Sequence, residues 1–472
     1  MTGLPFNIGT THFVGIGGIG MSGIAELMHR QGHRVQGSDQ AAGANVLRLR
    51  DMGIDVSVGH AAENIAGVSA VVVSSAVTMD NPELRAASEQ GIPVLRRADM
   101  LAELMRFGWC VSISGTHGKT TTTALVGGLL EAGGLDPTIV NGGIINAYGS
   151  NARMGGGQWV VAEADESDGT FVRLPSVISV ITNIDPEHLD HYGSQQALED
   201  AFVQFAQNVP YYGAVVVNSD HPGVQKILHR LTHYRVVTFG FEEGAELRAV
   251  NLRYEDGVAS FDVEMPDVTL EGVRLPLVGR HNVLNALAAI GVAKEAGLSS
   301  EDLLAGLAGA QGVQRRFTHV GTVEDMHVID DYAHHPVEIA AVLKAAREAY
   351  QGRIIAAVQP HRYTRLRDLF EDFCTCFGDA DAVVVTDVFA AGEAPIEGFD
   401  ADSLAAGIIK SHDIPVARVA DEAALVASLA TDARPGDVII CLGAGSISAW
   451  SRGLPERLQA LMSGRSAGGG AS

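Results

Sequence analysis

Apolar residues fall along this chain in short unbroken runs separated by longer helix-like stretches. The runs at Ala70–Ser74, Pro93–Leu95, 159–163 (WVVAE), 177–183 (VISVITN), 214–218 (AVVVN) and Val438–Leu442 have the character of strands buried on both faces of a parallel sheet. In the first third, a strand at 11–14 leads to a helix over Met21–Gln31, ended by Gly32, and then to a strand at 33–39. The middle third starts near Trp109 and carries helix-like runs at 124–132 and 282–297. Between Leu252 and Leu277 polar and apolar residues alternate, which predicts antiparallel strands at a sheet edge. The last third starts near Gln314, with strands at Met326–Ile329, Arg353–Val358, Ala382–Thr386 and Val438–Leu442 and a helix over 364–378. The expected fold class is therefore α/β in three domains, at 1–107, 108–313 and 314–462, with a small, polar tail at 463–472 expected to be disordered.

Composition narrows the setting. A chain of 472 residues accommodates about three domains. With 46% hydrophobic and 19% charged residues, large packed cores are expected. The formal net charge of -23 argues against nucleic acid and against anionic membrane surfaces, which need basic patches. The 4 cysteines are scattered without zinc spacing, as in a reducing compartment. No Lys or Arg precedes Arg30, so the N-terminal apolar stretch is not expected to be a signal peptide, and no run of about 20 apolar residues is present. A cytoplasmic, soluble protein is expected.

The densest chemical signal is Ser112–Thr123, SISGTHGKTTTT, between an apolar strand and a helix. Gly115 and Gly118 let the backbone curl so that N–H groups, those of Thr116 and His117 among them, face phosphate oxygens. The helix adds its positive end. Lys119 supplies a charge for the outer phosphates, and Thr120 or Thr121 a hydroxyl for Mg²⁺. The common G-x-x-x-x-G-K-[ST] string would need Gly at 113, where this chain has Ile113. ATP is the expected ligand of this P-loop-type domain.

A second glycine loop, Gly15-Ile-Gly17-Gly18-Ile19-Gly20, follows the first strand, with Asp39 further on. That spacing is the Rossmann-like fingerprint for a pyrophosphate and a ribose, either NAD(P) or another nucleotide-linked ligand. Glu163 ends an apolar strand, where Mg²⁺ on ATP wants a carboxylate; Asp165, Glu166 and Asp168 follow it, and Asp168 reads as a solvated turn. Asn183–His191 holds His188 and carboxylates at another strand end, a place for a second metal. Asn282 and Asn285 suit either an adenine edge or a helix cap. Arg316, Asp331, Tyr332, His334, His361, Arg362 and Arg365 gather at strand ends of the last third, where arginines suit carboxylate or phosphate.

Taken in order, GTHGKTTTT, VAEADESD, NIDPEHLDHY, GRHNVLNA, RRF, DDYAHHP and QPHRYTR resemble the landmarks of the Mur ligase superfamily across nearly the whole chain. GIGGIGMSGIAE, GSD at 37–39, SSAVTMDNPEL, DVFAAGEAPIEG and LGAGSIS resemble the alanine-adding branch. The resemblance implies an ATP- and Mg²⁺-dependent ligase of cytoplasmic peptidoglycan precursor synthesis. It would join L-alanine to the carboxylate of UDP-N-acetylmuramate through an acyl phosphate, as a monomer or weak homodimer. It implies that Gly15, Gly17, Gly18, Ile19, Gly20, Ser38, Asp39, Ser74 and Ser75 hold the UDP part. Gly115, Thr116, His117, Gly118, Lys119, Thr120, Thr121, Asn282, Arg316 and Asp331 would hold ATP, with Thr120 and Glu163 on one Mg²⁺ and His188 helping to hold another. Tyr332, His334, Arg362 and Arg365 would lie at the amino-acid and carboxylate end, with His334 the candidate base. The resemblance also implies that the third domain closes over both ligands. Some relatives have a carbamylated lysine, but Gln195–Gly213 contains no Lys. Competing readings are a ligase for a recycled tripeptide, an NAD(P)-dependent oxidoreductase fused to a nucleotide-binding module, and a non-catalytic nucleotide sensor.

Overall fold

The structure, a computed structural model, describes residues 8–74, 77–106, 108–255 and 257–468. Three sheets interleaved with helices organise the chain, an α/β architecture. The first has five parallel strands in the order Asp55–Val58, Arg34–Asp39, Thr10–Val14, Ala70–Val73, Val94–Arg96. Strand order reverses direction beside Thr10–Val14, so a crevice opens at its carboxyl end, where the glycines at 15–20 lie.

The second sheet has ten strands. Its parallel centre runs Arg235–Gly240, Ala214–Asn218, Ile178–Ile181, Trp109–Ser114, Trp159–Glu163 and Thr138–Ile145. Cys110–Ser114 and Ile178–Ile181 are buried throughout, the consequence of helices covering both faces. The alternating segment forms Leu247–Glu255, Val258–Glu264 and Thr269–Leu275 at one edge, and burial alternates along them. Apart from 253–259, these two sheets belong to one compact unit. A second unit runs from Gln314 onward and takes in 253–259 and 277–281. Its sheet has six strands, parallel except for Thr318–Val323 at one edge.

Two expectations change, and one strand was not foreseen. The helix over 364–378 is two, Tyr363–Asp368 and Phe370–Thr375, because Leu369 leaves helical geometry at φ -120° and ψ 26°. Thr138–Ile145 is a strand despite Asn141, Gly142 and Gly143, residues of low strand propensity; burial between neighbours overrides it. The helix Ile447–Gly468 continues through 463–468 of the tail expected to be disordered, since extending an established helix adds a hydrogen bond per residue. Residues 469–472 lie outside the described residues. No described helix is long and apolar enough to cross a membrane.

Candidate functional site

The phosphate loop is built as its glycines require. Gly115 (φ 138°) and Gly118 (φ 83°) take backbone angles that side chains disfavour. A Cβ at Gly115 would meet the Thr182 hydroxyl at 2.0 Å, and one at Gly118 the Asn285 side-chain oxygen at 2.5 Å. The segment after Ile178–Ile181 braces the loop: the N–H of His117 donates to Asn183 Oδ1 at 2.7 Å, and Thr182 and Asn183 donate to the His117 carbonyl at 2.6 and 2.9 Å. Thr116 Oγ1 accepts from the Asp185 N–H at 2.8 Å. Asn285 accepts from Thr122 at 3.2 Å and donates to Asn282 at 3.2 Å, so the asparagine pair backs the loop helix Lys119–Ala132.

Lys119 folds back over its own loop. Its ammonium donates to the carbonyls of Gly115 (2.6 Å) and Thr116 (3.1 Å) and to Glu166 Oε1 (2.9 Å). Burial alone lowers its pKa, but Glu166, Asp165 and Glu163 outweigh that and raise it. Burial lifts the Glu166 carboxyl to about 7 against the pull of Lys119. Asp165 is held at about 2, its burial overcome by Arg97 at 2.9 Å and by Lys119.

The carboxylates divide into two places. Glu163 accepts from the Gly142 N–H at 2.8 Å, and Gly143 packs beside the Thr120 methyl, so Thr120 and Glu163 flank one glycine pair. Glu166, Glu187 and His188 form a separate group whose ligating atoms lie within 4.8 Å of one another. His188 reaches it from a left-handed backbone, φ 56°. Two carboxylates fit a hard divalent cation that shares phosphate oxygens. The sequence reading put Glu163 and His188 on two different metals; the structure sets His188 apart from Glu163, grouped with Glu187 of its own segment and with Glu166, which the sequence had not assigned to a metal. Glu166 sits in the sequence run beside Glu163, but only the fold shows which of the two faces Lys119.

The other glycine loop is tied down by its own acid. The N–H groups of Gly15 and Ile16 donate to the Ser38 carbonyl at 2.8 and 3.0 Å, and that of Gly17 donates to Asp39 Oδ2 at 2.9 Å. A Cβ at Gly17 would stand 2.9 Å from Asp39, and one at Gly15 3.4 Å from Ser74 Cβ. Gly18 and Ile19 open the helix Ile19–Arg30, and a Cβ at Gly20 would collide with the Arg97 guanidinium. The Ser38 hydroxyl points inward. It is fully buried and donates to Glu83 at 2.6 Å, beside His60. Ser75 lies outside the described residues. Arg97 and Glu83 were not foreseen, because each reaches the loop from far along the chain.

In the second unit the predicted residues at the strand ends come together. Arg315 and Arg316 lie over the Tyr332 ring, 4.6 and 5.3 Å from its centre. Asp331 is buried and accepts from the N–H groups of Phe317 and Ala333, both at 2.7 Å. Burial lifts its carboxyl to about 6 despite Arg316. It thereby fixes the strand end to the arginine segment. His334 Nδ1 donates to the Tyr332 carbonyl at 2.9 Å, because a carbonyl only accepts, and this leaves Nε2 as the basic nitrogen. Burial lowers the His334 pKa, against Glu338. His361 stands between the His334 ring, 5.8 Å away, and Arg365, at 3.3 Å. Arg362 has φ 71° and lies 3.8 Å from Glu393, which also accepts twice from Thr364. The sequence had singled out His361 beside Arg362 and Arg365, whereas Glu338 and Glu393 were missed there, because they carry no local signature.

Comparison with known proteins agrees with this layout. The description "Mur ligase family, catalytic domain" matches residues 10–109, "Mur ligase middle domain" 113–293, and "Mur ligase, glutamate ligase domain" 315–445. The chain is 57% identical to a UDP-N-acetylmuramate–L-alanine ligase of Parvibaculum lavamentivorans, over 97% of this chain and 94% of that protein. It is 56% identical to the protein of that name from Bradyrhizobium sp. (strain ORS 278), over 97% and 99%. The crystal structure of UDP-N-acetylmuramate-alanine ligase from Thermotoga maritima superposes with a TM-score of 0.82 at 30% identity, covering 96% of this chain and all of that one. The chain belongs to the Mur ligase family.

Proposed function

We propose that this chain is an ATP-dependent amide-forming ligase that joins L-alanine to the carboxylate of UDP-N-acetylmuramate, giving UDP-N-acetylmuramoyl-L-alanine, ADP and phosphate for peptidoglycan synthesis. The observation that carries the reading is one unit with two glycine loops, one of which sets Lys119 against a ring of carboxylates. Relatives at 55–57% identity bearing the alanine ligase name support this acceptor over a tripeptide, and support ligase over oxidoreductase. In this reading 1–107 binds the UDP-substrate, 108–313 binds ATP, and 314–462 supplies the remaining catalytic groups.

A carboxylate is a poor electrophile, so an oxygen of the sugar acid attacks the γ-phosphorus of ATP and ADP departs. The Lys119 ammonium moves from its carbonyl and Glu166 partners to the phosphates, whose charge it offsets with Arg316. Bound Mg²⁺ would supply further positive charge there, one ion held by Thr120 and Glu163 and another by the Glu166–Glu187–His188 group. The neutral amine of L-alanine then attacks the acyl phosphate, forms the amide bond and expels phosphate. His334 Nε2, unprotonated near neutrality, takes the proton the amine gives up. Tyr332, Arg362 and Arg365 orient the carboxylates. Asp39 takes a ribose hydroxyl, and Asn282 the adenine.

Phosphate release from MgATP and UDP-N-acetylmuramate, with L-alanine, other amino acids or the tripeptide added in turn, tests the reading. L-Alanine-dependent release with product of matching mass is expected. Dependence on the tripeptide would move the chain to another branch of the family, and no stimulation by any acceptor would end the ligase reading.

A further inference from the structure

A cavity of about 150 Å³ opens within the first unit, between the start of the helix Ile19–Arg30 and the strands Thr138–Ile145 and Trp159–Glu163. One wall is apolar, with Ile24, Leu101, Phe171 and Leu174. Asn141, Glu163, Arg97 and Asp165 also line the cavity. Asn141 is 1% exposed, yet neither its Nδ2 nor its Oδ1 has a hydrogen-bond partner among the described residues. A buried amide left unpaired on both atoms is costly, and the cost is recovered when a ligand supplies both a donor and an acceptor.

We infer that this cavity seats the acetamido group of the sugar acid and that the Asn141 amide recognises it; the inference rests on the ligase reading above. A secondary amide offers an N–H to Asn141 Oδ1 and a carbonyl to Nδ2, and its methyl group meets the apolar wall. A carboxylate in the same place would only accept, and would leave Oδ1 unpaired. Glu163 lines the same cavity and is held by the Gly142 N–H at 2.8 Å. In the sugar acid the acetamido and lactyl-ether groups sit on adjacent ring carbons. Seating the first in the cavity therefore places the lactyl ether next to it. Asn141 is thus a specificity residue for the sugar.

The test compares UDP-N-acetylmuramate with the analogue carrying a hydroxyl in place of the acetamido group, in wild type, Asn141→Ala and the near-isosteric Asn141→Asp. Wild type should favour the acetamido substrate in kcat/KM by about tenfold or more. Asn141→Ala should lose most of that preference, with KM for ATP and L-alanine unchanged. Asn141→Asp, which trades the donor for an acceptor, should lose it too. Full preference retained in either variant overturns the inference. So does a wild type that does not discriminate, a result that does not depend on the variants folding. Absence of L-alanine-dependent turnover in wild type would instead sink the ligase reading itself.

Discussion

The loops at Gly15–Gly20 and Gly115–Lys119 both carry the chain from a buried strand into a helix, yet their charges are arranged in reverse. The first brings its own acid, Asp39, bonded to the Gly17 N–H, and receives a cation from elsewhere, Arg97 beside Gly20. The second brings its own cation, Lys119, and receives its acid, Glu166, from another strand end. A loop with a built-in cation is poised to exchange an internal partner for phosphate oxygens. A loop closed by its own carboxylate is set in shape beforehand and offers that acid to a hydroxyl. The first arrangement suits a ligand held throughout the reaction, and the second a phosphate chain that is cut.

The difference is broken most severely at Lys119. Lys119→Ala should lower kcat by roughly a hundredfold to a thousandfold, the scale for losing a preorganised charge on a transferring group. KM for UDP-N-acetylmuramate should change little. Initial rates with each substrate varied would show this, and a loss confined to the KM for the sugar nucleotide would contradict the division between the loops.

Behind each loop lies a buried glutamate, and the two titrate in opposite directions. Burial pushes Glu83 up, but His12, Ser38 and Asn64 outweigh it and bring its carboxyl to about 2. Its folded value is below the ordinary 4.5, so its contribution is complete above pH 4.5 and fades as pH falls toward 2. The amount is roughly 3 kcal/mol. Glu166 is lifted to about 7, so its contribution is present below pH 4.5 and is lost as pH rises from 4.5 to 7. Denaturant unfolding of the protein between pH 3 and 8 should therefore change slope differently in the two variants. Glu83→Gln should flatten the acid side, and Glu166→Gln the side approaching neutrality. The same flattening in both would mean that the two carboxylates share one environment.

A smaller effect is expected at Asp39. Asp39→Ala frees the Gly17 N–H and removes the proposed ribose acceptor, so KM for UDP-N-acetylmuramate should rise by about tenfold with ATP affinity nearly intact. Equal loss of both affinities, measured by calorimetric titration of each ligand, would show that the loops are not independent.

What the sequence disclosed follows the range of the interactions. Gly115, Gly118 and Lys119 act on atoms within a few residues of themselves, and the strands Trp159–Glu163, Ala214–Asn218 and Val438–Leu442 announce themselves by unbroken apolar runs. Asn285 backing Gly118, Glu166 facing Lys119 and Arg97 paired with Asp165 join residues distant in the chain, and no local pattern encodes which partner the fold selects. Thr138–Ile145 escaped notice for a related reason. Its Asn141-Gly142-Gly143 centre is poor strand sequence, but that centre lets the backbone pass close to Glu163 and Thr120.

Ser38 carries the finest distinction. It adjoins Asp39 in sequence, and the family resemblance places it at the UDP part. In the structure its backbone carbonyl, not its hydroxyl, accepts from the Gly15 and Ile16 N–H groups, while the hydroxyl is turned inward to Glu83. Ser38→Ala keeps the carbonyl and removes only the hydroxyl. Stability should fall by about 1 kcal/mol as Glu83 loses a donor, with KM for UDP-N-acetylmuramate within about twofold of wild type. A variant of normal stability with a KM raised severalfold would put the hydroxyl on the ligand. The first loop would then be finished by a side chain facing outward, as the second is by Lys119, and the contrast between them would narrow to the sign of their charge.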